Sequence, residues 1–423
     1  MADGAPSEDV TAGAAGAGGD AGAAADGPLA GVRVVELGSF IAGPFAGQLL
    51  ADLGAEVVKV EAPGAGDAMR RWGQLLDGRS IWWSALARNK RLVAVDLRKP
   101  EGQAVVRRLA AASDVVLENF APGRLEAWGL GYDELSRLNP RLVLTRVSGF
   151  GQTGPRAGER GFGAIGEAMG GLRELTGSPD RPPARAAVSL GDSIAALFAA
   201  FGTVAALRQV ERDGRGQVVD VALYEAVFAL MESLVADYEL TGYQRTRAGG
   251  ALPGAAPSNA YPTADGRMVM IAANADAIWA RLAEAMGRPE LATDERYATH
   301  VARGARMAEV DELVASWTRT LDFDALDRAL EAAAVPHGLI YRASDILEDP
   351  HYLARGMIQR VHDAVLGRDV PMAGVVPRLS RTPGRIRWAG ADVGAHTHEV
   401  LAELGLSAEE RAALAEAGVI PPP

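Results

Sequence analysis

One carboxylate stands where an apolar helix is expected to begin. Asp192 lies in the segment Ser189-Leu-Gly-Asp-Ser193, directly before the apolar stretch 194–207. One interpretation is an N-cap, because a carboxylate at a helix start accepts backbone N–H groups and is favoured by the helix dipole. The other is a nucleophile, because a helix N-terminus would stabilise charge on an adjacent tetrahedral intermediate. The spacing alone leaves both interpretations open.

The rest of the composition removes the usual competitors of a carboxylate nucleophile. The 423 residues include no cysteine, and all six histidines lie at or after His300. A thiolate nucleophile, a disulfide framework and a thiolate metal site are therefore excluded. None of the three lysines (Lys59, Lys90 and Lys99) follows a glycine, so the phosphate-binding Walker A loop is absent.

Two short motifs have plain structural explanations. Gly161, Gly163 and Gly166 fit the dinucleotide-binding pattern G-x-G-x-x-G, but a long loop precedes them where that fingerprint needs a strand. Close backbone packing or a substrate loop explains these glycines better than a nicotinamide site. His396 and His398 could share a metal ion, but no third ligand has a supporting spacing, so a helix start is favoured and no metal site is predicted.

A basic segment interrupts an otherwise acidic chain. The chain has 43 basic and 54 acidic residues, yet seven basic residues and two acidic ones fall between Arg88 and Arg108. This excess could bind phosphates through guanidinium groups, or it could be a solvated helix face. Both interpretations stay open for the segment as a whole. Arg98, at a strand-to-helix turn, is the best ligand candidate.

The elements that must position these residues alternate between strand and helix. Buried strands are predicted at 32–37, 57–61, 92–97, 115–117 and 142–147, with helices at 44–53 and 102–111 between them. Parallel strands need such crossovers, so the pattern predicts an α/β fold whose large domain is a doubly wound parallel sheet. Two long helices are predicted after a glycine-rich loop, from about Asp192 to Val210 and from Leu223 to Tyr238.

Four regions follow from this pattern. Residues 1–27 hold five acids, no basic residue and mostly Ala and Gly, and are predicted to be a disordered tail. Residues 28–244 form the large domain, 245–360 a smaller α/β domain, and 361–423 a C-terminal segment that returns to the large domain. No uncharged apolar stretch of about 18 residues occurs, so we expect no membrane span. The acidic balance argues against a nucleic-acid partner.

Many blocks of the sequence, in order, resemble the class III CoA-transferases, whose relatives include formyl-CoA:oxalate and carnitine CoA-transferases and α-methylacyl-CoA racemase. The resemblance covers about 28–420. Its blocks include Leu29-Ala-Gly-Val-Arg-Val-Val-Glu-Leu37, Ala42-Gly-Pro44, Asp96-Leu-Arg-Lys-Pro-Glu-Gly102, Asp114-Val-Val-Leu-Glu-Asn-Phe120, Gly191-Asp192-Ser193 and Asp349-Pro-His351. It favours the nucleophile interpretation of Asp192, with or without a capping role.

The resemblance implies a cofactor-free reaction through Asp192. The aspartate attacks an acyl-CoA to give an aspartyl anhydride, CoA then forms an aspartyl thioester, and a free carboxylic acid takes the CoA. The resemblance also implies an interlocked homodimer and a set of CoA contacts. These contacts fall on Ile41, Ala42, Val95, Arg98, Asn119, Phe120, Arg124 and Arg160. A cytoplasmic location is expected, and the absence of cysteine is compatible with a reducing cytoplasm.

Two departures from the family pattern bear on the activity. The racemase branch uses a histidine that would fall near Phe162, and the chain has none before His300, so an epimerase or racemase is disfavoured. The family commonly has an acidic residue where this chain has Gly163, so Asp192 is expected to lack that acidic neighbour, which leaves the rate and the substrate open. A non-catalytic acyl-CoA-binding protein therefore stays an alternative to a CoA-transferase.

Overall fold

The computed structural model describes residues 27–423, so the predicted tail, apart from Gly27, lies outside the described residues. In chain order the strands are β1 (Arg33–Glu36), β2 (Glu56–Glu61), β3 (Leu75–Leu76), β4 (Arg79–Ser80), β5 (Lys90–Ala94), β6 (Val115–Glu118), β7 (Val143–Ser148), β8 (Val218–Ala222), β9 (Ser258–Pro262), β10 (Met268–Ala272), β11 (His337–Leu339), β12 (Ile358–Asp363) and β13 (Arg368–Ala373). The α-helices are α1 (Ala42–Asp52), α2 (Ile81–Leu86), α3 (Pro100–Ala111), α4 (Arg124–Ala127), α5 (Tyr132–Leu138), α6 (Gly163–Met169), α7 (Leu172–Leu175), α8 (Leu190–Asp213), α9 (Leu223–Phe228), α10 (Leu234–Thr241), α11 (Asp276–Ala285), α12 (His300–Gly304), α13 (Met307–Thr318), α14 (Phe323–Ala332), α15 (Ala343–Glu348), α16 (Pro350–Ala354), α17 (Thr397–Glu403) and α18 (Ala408–Glu416).

The large sheet is parallel throughout and doubly wound, as the sequence predicted. Its strand order is β5-β2-β1-β6-β7-β8, with parallel pairing at every step. The chain winds outward from β1 to β5 and then outward from β6 to β8 on the other side. The switch in direction lies between β1 and β6, and the crevice beyond the carboxyl ends of such strands is where ligands of open α/β sheets bind.

Helices cover both faces of this sheet. Ala46 and Leu50 of α1 and Ala195 and Ala199 of α8 belong to the core on one face. On the opposite face the core contains side chains from α3, α5 and α17, including Val105, Leu135 and Leu401. Strands buried on both faces read as continuous apolar runs, which is why the sequence reveals β6 and β7 without an alternating pattern.

A second core forms around a smaller sheet. Strands β9, β10 and β11 pair antiparallel in the order β11-β10-β9. Helices α11, α13 and α14 cover the sheet, with Trp279, Val310 and Leu326 fully buried. The sequence-predicted boundary at 360 falls within β12, which pairs with β13 in a hairpin. The division into domains at 244 and 360 stays a prediction.

The chain after this hairpin contacts the large sheet. The backbone N–H of His396 donates to the carbonyl oxygen of Leu92, and the Ala94 N–H donates to Thr397 Oγ1 at 3.0 Å. Asn89 binds the same segment, because its Oδ1 accepts the Arg387 N–H at 2.7 Å. These bonds attach the start of α17 to edge strand β5.

Three helix predictions need correction. The helix predicted over 223–238 is two helices, α9 and α10, and Glu232 between them has a left-handed φ of 53°. Apolar residues continue at helical spacing through the break, so the pattern reads as one helix. Phe228 and Leu230 belong to this apolar run although both are exposed. Helix α2 was not predicted; Ser80 caps it by accepting the Trp83 N–H. Helix α8 begins at Leu190, two residues before the predicted start.

Helix α8 is also the one helix within 27–423 whose length and apolar composition match a membrane-crossing segment. Its buried face carries Ala195, Ala199 and Thr203 and packs against α1 and β7. Core helices of globular proteins pass the same composition test, and α8 is built into the core in this way.

Candidate active site

Two adjoining cavities open at the carboxyl ends of the large sheet. The first, called the strand-end cavity, has a volume of about 510 Å³ and lies beyond β1, β2 and β5, with Gly38, Glu61, Asp67, Val95 and Arg98 in its lining. The second, called the Asp192 cavity, has a volume of about 370 Å³ and lies beyond β1, β6 and β7. Ser39, Phe40 and Phe120 line both cavities, so the two form one cleft across the switch point.

Asp192 is the third residue of α8. Ser189 is the N-cap and Leu190 the first helical residue, and the Asp192 carboxylate makes no hydrogen bond or ion pair to any of residues 27–423. The interpretation of Asp192 as an N-cap is therefore wrong, because the helix begins two residues earlier than its sequence suggests. The half-buried carboxylate lies on the wall of the Asp192 cavity instead.

Gly163 makes the room that this carboxylate occupies. A Cβ atom at position 163 would lie 2.2 Å from Asp192 Oδ2 and 2.7 Å from its Cγ, so any side chain there would displace the carboxylate. Gly191 has the matching role on α8, since a Cβ there would lie 2.5 Å from the Gly163 carbonyl oxygen. The start of α6 and the start of α8 therefore touch through two glycines.

The remaining glycines of the G-x-G-x-x-G pattern also serve close packing. A Cβ at Gly161 would lie 2.6 Å from Gly149 Cα, and a Cβ at Gly166 would lie 2.8 Å from Leu223 Cβ. The packing explanation from the sequence is confirmed.

An acidic neighbour of Asp192 is present after all. Glu167, one helical turn after Gly163 on α6, is 2% exposed; its Oε1 accepts the Gly191 N–H at 3.2 Å and its Oε2 accepts from Arg173 Nε at 2.7 Å. Position 163 itself supplies no acid, but Glu167 four residues later does, because the i and i+4 positions of a helix share a face. Sequence reasoning missed Glu167, although that helical spacing was available as a signal.

The surroundings change the acidity of Asp192. Burial raises its pKa from 3.8 to about 6, the negative charge of Glu167 adds to the increase, and the positive charge of Arg185 opposes it. Burial and a like charge both disfavour the ionised form. A carboxylate without a hydrogen-bond partner, held in a cavity with a perturbed pKa, is typical of a reacting group rather than a structural one.

The predicted contact residues divide between the two cavities. Val95 and Arg98 line the strand-end cavity, Ala42, Asn119 and Arg160 line the Asp192 cavity, and Phe120 lines both. Two lie elsewhere. Ile41 is buried in a core cluster with Met69 and Trp83, and the Arg124 guanidinium lies 5.5 Å from the ring centroid of Trp128. Trp128 itself lines the strand-end cavity.

The histidine pair does not converge on one point. His396 Nδ1 accepts the Leu92 N–H at 3.0 Å, whereas His398 Nε2 lies 3.0 Å from the Pro421 carbonyl oxygen. His396 is the N-cap residue of α17, which confirms the helix-start interpretation. No group of three or more metal-ligating side chains lies together within 27–423.

Comparison with known proteins identifies the family. The sequence model described as "CoA-transferase family III" matches residues 29–397. The chain belongs to CoA-transferase family III. It is 57% identical over 395 residues to succinyl-CoA–D-citramalate CoA-transferase of Chloroflexus aurantiacus, covering 93% of this chain and 98% of that protein. It is 42% identical over 387 residues to the alpha subunit of succinyl-CoA–L-malate CoA-transferase of the same species, covering 90% of both chains.

A solved structure supports the same conclusion. The crystal structure of a CAIB/BAIF family protein from Brucella suis superposes with a TM-score of 0.81 at 36% identity, covering 90% of this chain and 100% of that one. This family III chain is an enzyme that transfers CoA, as the sequence predicted, and its substrates are CoA thioesters and carboxylic acids.

In this family III enzyme most side chains of the basic segment 88–108 are bound to other groups of the same chain. Arg88 pairs with Asp52 at 2.6 Å, Lys90 with Glu36 at 2.7 Å, and Arg91 with Glu403 at 2.7 Å. The guanidinium of Arg108 donates to the Leu404 carbonyl oxygen. The idea of one phosphate-binding patch is therefore wrong. Arg98 is the member that reaches the cleft, with an 85% exposed side chain paired to Asp96 at 2.8 Å.

The loop after β1 is the part of the family III cleft that sequence reasoning overlooked. Phe40 has a left-handed φ of 62°, which is rare for a bulky residue and marks local strain. Its N–H donates to Asp67 Oδ1 at 3.1 Å, and its ring makes edge contacts with Trp72 and Phe162. No pattern in the sequence predicts that a residue other than glycine adopts this conformation.

Proposed function

We propose that the enzyme moves CoA from succinyl-CoA to a 2-hydroxy derivative of succinate, with Asp192 as the covalent carrier. The observation that carries the proposal is the Asp192 carboxylate, which faces the cleft, makes no hydrogen bond to the described residues and has a raised pKa. A carboxylate freed from other bonds can attack a thioester carbonyl.

The reaction then runs in two exchange steps. An Asp192 oxygen attacks the thioester carbonyl, the C–S bond breaks, and CoA leaves as a thiolate while an acyl-aspartyl anhydride remains. The thiolate attacks the Asp192 carbonyl, the donor acid leaves as a carboxylate, and an aspartyl-CoA thioester remains. The acceptor carboxylate repeats these steps in reverse. No bond energy is lost to hydrolysis provided that water is excluded from the cavity.

The CoA contacts are part of the proposal. The nucleotide end of CoA would occupy the strand-end cavity, where Val95 offers apolar surface and Arg98 a charge for phosphate. The pantetheine arm would pass Phe120, which lines both cavities, to reach Asp192. Ala42 and Asn119 would contact its thiol end. Ile41 is assigned no direct contact because its side chain is buried in the core cluster with Met69.

The relatives support the choice of substrates. The two relatives described above are named for succinyl-CoA as donor and for D-citramalate or L-malate as acceptor. Both acceptors are 2-hydroxysuccinates; citramalate has an additional methyl group at C2, and the two named acids have opposite configurations. The greater identity to the D-citramalate enzyme favours the methylated acid.

A homodimer and a cytoplasmic location complete the proposal. Leu197, Phe201 and Val204 form an exposed apolar row on α8, which a second copy of the chain would cover. The cytoplasm is proposed because the reaction needs the cellular pool of CoA thioesters.

The covalent step is tested by trapping the intermediate. The full-length enzyme is incubated with succinyl-CoA, quenched with hydroxylamine and mapped by peptide mass spectrometry. We expect a hydroxamate on Asp192, and none in Asp192→Asn. An adduct on another residue, or exchange of labelled CoA that persists in Asp192→Asn, would contradict the proposal.

A further inference from the structure

The Asp192 cavity contains one cationic group in the described part of the chain, Arg160. Its other charged lining residues are Asp192 and Glu159, and Glu159 is already paired with Arg156 at 2.7 Å. Arg160, by contrast, makes no ion pair or hydrogen bond within 27–423. A guanidinium exposed on the wall of a substrate cavity has five donors to offer a ligand.

The polar neighbours Ser39, Asn119 and Ser148 of Arg160 in the cavity are uncharged. The amide of Asn119 is used in both directions on Ser39, since its Oδ1 accepts the Ser39 N–H and its Nδ2 donates to the Ser39 carbonyl oxygen, each at 2.8 Å. The Ser148 hydroxyl accepts the Gly151 N–H at 3.0 Å, and it and the Ser39 hydroxyl can donate to a ligand but are neutral. An anion that enters the cavity therefore has Arg160 as its charged partner.

Arg160 and Asp192 also stand apart from each other. They line the same cavity without an ion pair, and the positive charge that acts on Asp192 is that of Arg185, which does not line the cavity. A substrate with two carboxylates can use this separation, with one carboxylate at Asp192 and the other at the guanidinium.

We propose that Arg160 binds the second carboxylate of the acyl group and of the acceptor acid, and so selects four- and five-carbon dicarboxylic acids over monocarboxylic ones. The inference rests on the proposed function, because it assumes that the acyl group is attached at Asp192. A guanidinium and a carboxylate form a bidentate, charge-assisted pair, whereas a methyl group in the same place leaves the guanidinium without a partner. The resemblance implied a CoA contact for Arg160 instead, and this alternative is an outcome of the test.

The experiment compares two four-carbon acids that differ only at the distal end. Exchange of labelled succinate into succinyl-CoA and of labelled butyrate into butyryl-CoA is measured for the wild type, Arg160→Leu, Arg160→Lys and Arg185→Leu. Each exchange uses one acid as both donor and acceptor, so the distal group is the only variable. The affinity for free CoA is measured by calorimetry on the same proteins.

We expect Arg160→Leu to lower kcat/KM for succinate exchange by roughly 10- to 100-fold, the range of a hydrogen bond to a charged group. Butyrate exchange should rise severalfold, because the apolar side chain suits a methyl end. Arg160→Lys should retain part of the succinate preference. Arg185→Leu should leave the ratio of the two exchanges unchanged, and the affinity for CoA should be constant in all four proteins.

Two outcomes would overturn the inference. One is an unchanged ratio of the two exchanges in Arg160→Leu, including an equal loss of both. The other is a weakened affinity for CoA in that variant, which would make Arg160 a CoA ligand. The proposed function fails separately: a wild type that exchanges neither acid, or that forms no adduct on Asp192, would show this before any variant of Arg160 is examined.

Discussion

The ionisation of Asp192 sets the pH range of the reaction at the scale of single residues. Only the ionised carboxylate is a nucleophile, and burial together with Glu167 holds its pKa at about 6. The rate of the first half-reaction should therefore fall as the pH is lowered through about 6. Glu167→Gln removes the neighbouring negative charge, so the pKa should fall toward 3.8 and the acid limb of the kcat/KM profile should move to lower pH.

Removal of the positive charge of Arg185 is the control for Glu167→Gln. Arg185→Gln removes the positive charge that lowers the pKa of Asp192, so its acid limb should move to higher pH. Both pH profiles are recorded with the same acyl-CoA. The direction in which each acid limb shifts tests whether the ionisation of Asp192 controls the rate. Limbs that coincide with the wild type in both variants would show that another group controls the rate.

The space that Gly163 leaves for the Asp192 carboxylate can be tested by adding a single methyl group at position 163. Gly163→Ala would place its Cβ 2.2 Å from Asp192 Oδ2, so the carboxylate must move. A displacement of about 1 Å at a reacting group costs roughly 100-fold in rate, and we expect a loss of kcat of this order with the fold retained. Gly158→Ala in the loop before α6 is the matched control, because a Cβ there meets no atom within 4 Å. Equal activity of the two variants would contradict the assigned role of Gly163.

At this scale the sequence could predict residues whose role follows from their own type and position. It could not predict residues whose role depends on contacts between two helices. Asp192 stands out by its type and its place before an apolar stretch, and the predicted Phe120 and Arg98 follow buried strands whose ends meet at one edge. The contacts of Gly163 and Glu167 with Asp192 depend on how α6 and α8 cross, which no spacing within either helix determines. For the same reason, the spacing alone left open a cap that the true start of α8 excludes.

At the scale of elements, buried charges hold the loop that joins the two cavities. Lys59 on β2 pairs with Glu36 at 2.9 Å and with Asp67 at 3.0 Å, and it donates to the Gly38 carbonyl oxygen; all three side chains in the pairs are at most 1% exposed. Asp67 in turn accepts the Phe40 N–H. The strained conformation of Phe40 is thus maintained by charges on two neighbouring strands and the loop after them.

Lys59→Met should therefore be costly for stability. The substitution leaves the Asp67 carboxylate buried without its cation, and the loss of one partner of a buried ion pair costs about 3–5 kcal/mol. Urea denaturation measures the free energy of unfolding. Arg208→Ala removes an exposed ion pair with Glu211 and should cost at most about 1 kcal/mol. Similar losses in both variants would show that the buried network does not stabilise the loop.

Element prediction succeeded where strands are buried on both sides and failed where an apolar face is exposed. The continuous apolar runs of β6 and β7 identified the parallel sheet, because few other elements need such runs. The run over 223–238 was equally apolar, yet Phe228 of α9, Leu230 between the two helices and Val235 of α10 are exposed. Apolar spacing predicts that a residue is buried against another surface, but it does not indicate whether that surface belongs to the same chain.

At the scale of the whole molecule, this exposed surface leads to a prediction of oligomeric state. Phe201 is 73% exposed and Leu240 is 81% exposed, and Leu197, Leu230 and Val235 are further exposed apolar side chains of α8 and of the segment 228–241. Single monomers rarely leave large contiguous apolar patches in contact with water. We therefore expect a homodimer, with a mass by light scattering of twice the 44.2 kDa of the chain.

Phe201→Arg tests whether this surface forms the interface. A charge in the centre of an apolar interface loses its hydration without a partner, so the variant should yield monomers or fail to assemble at concentrations where the wild type is dimeric. Val301→Arg is the matched control, because Val301 is 79% exposed on α12 beside the smaller sheet. We expect the control to keep the wild-type mass. A monomeric wild type, or a mass lowered by Val301→Arg but not by Phe201→Arg, would place the interface elsewhere and leave the apolar face of α8 without its proposed partner.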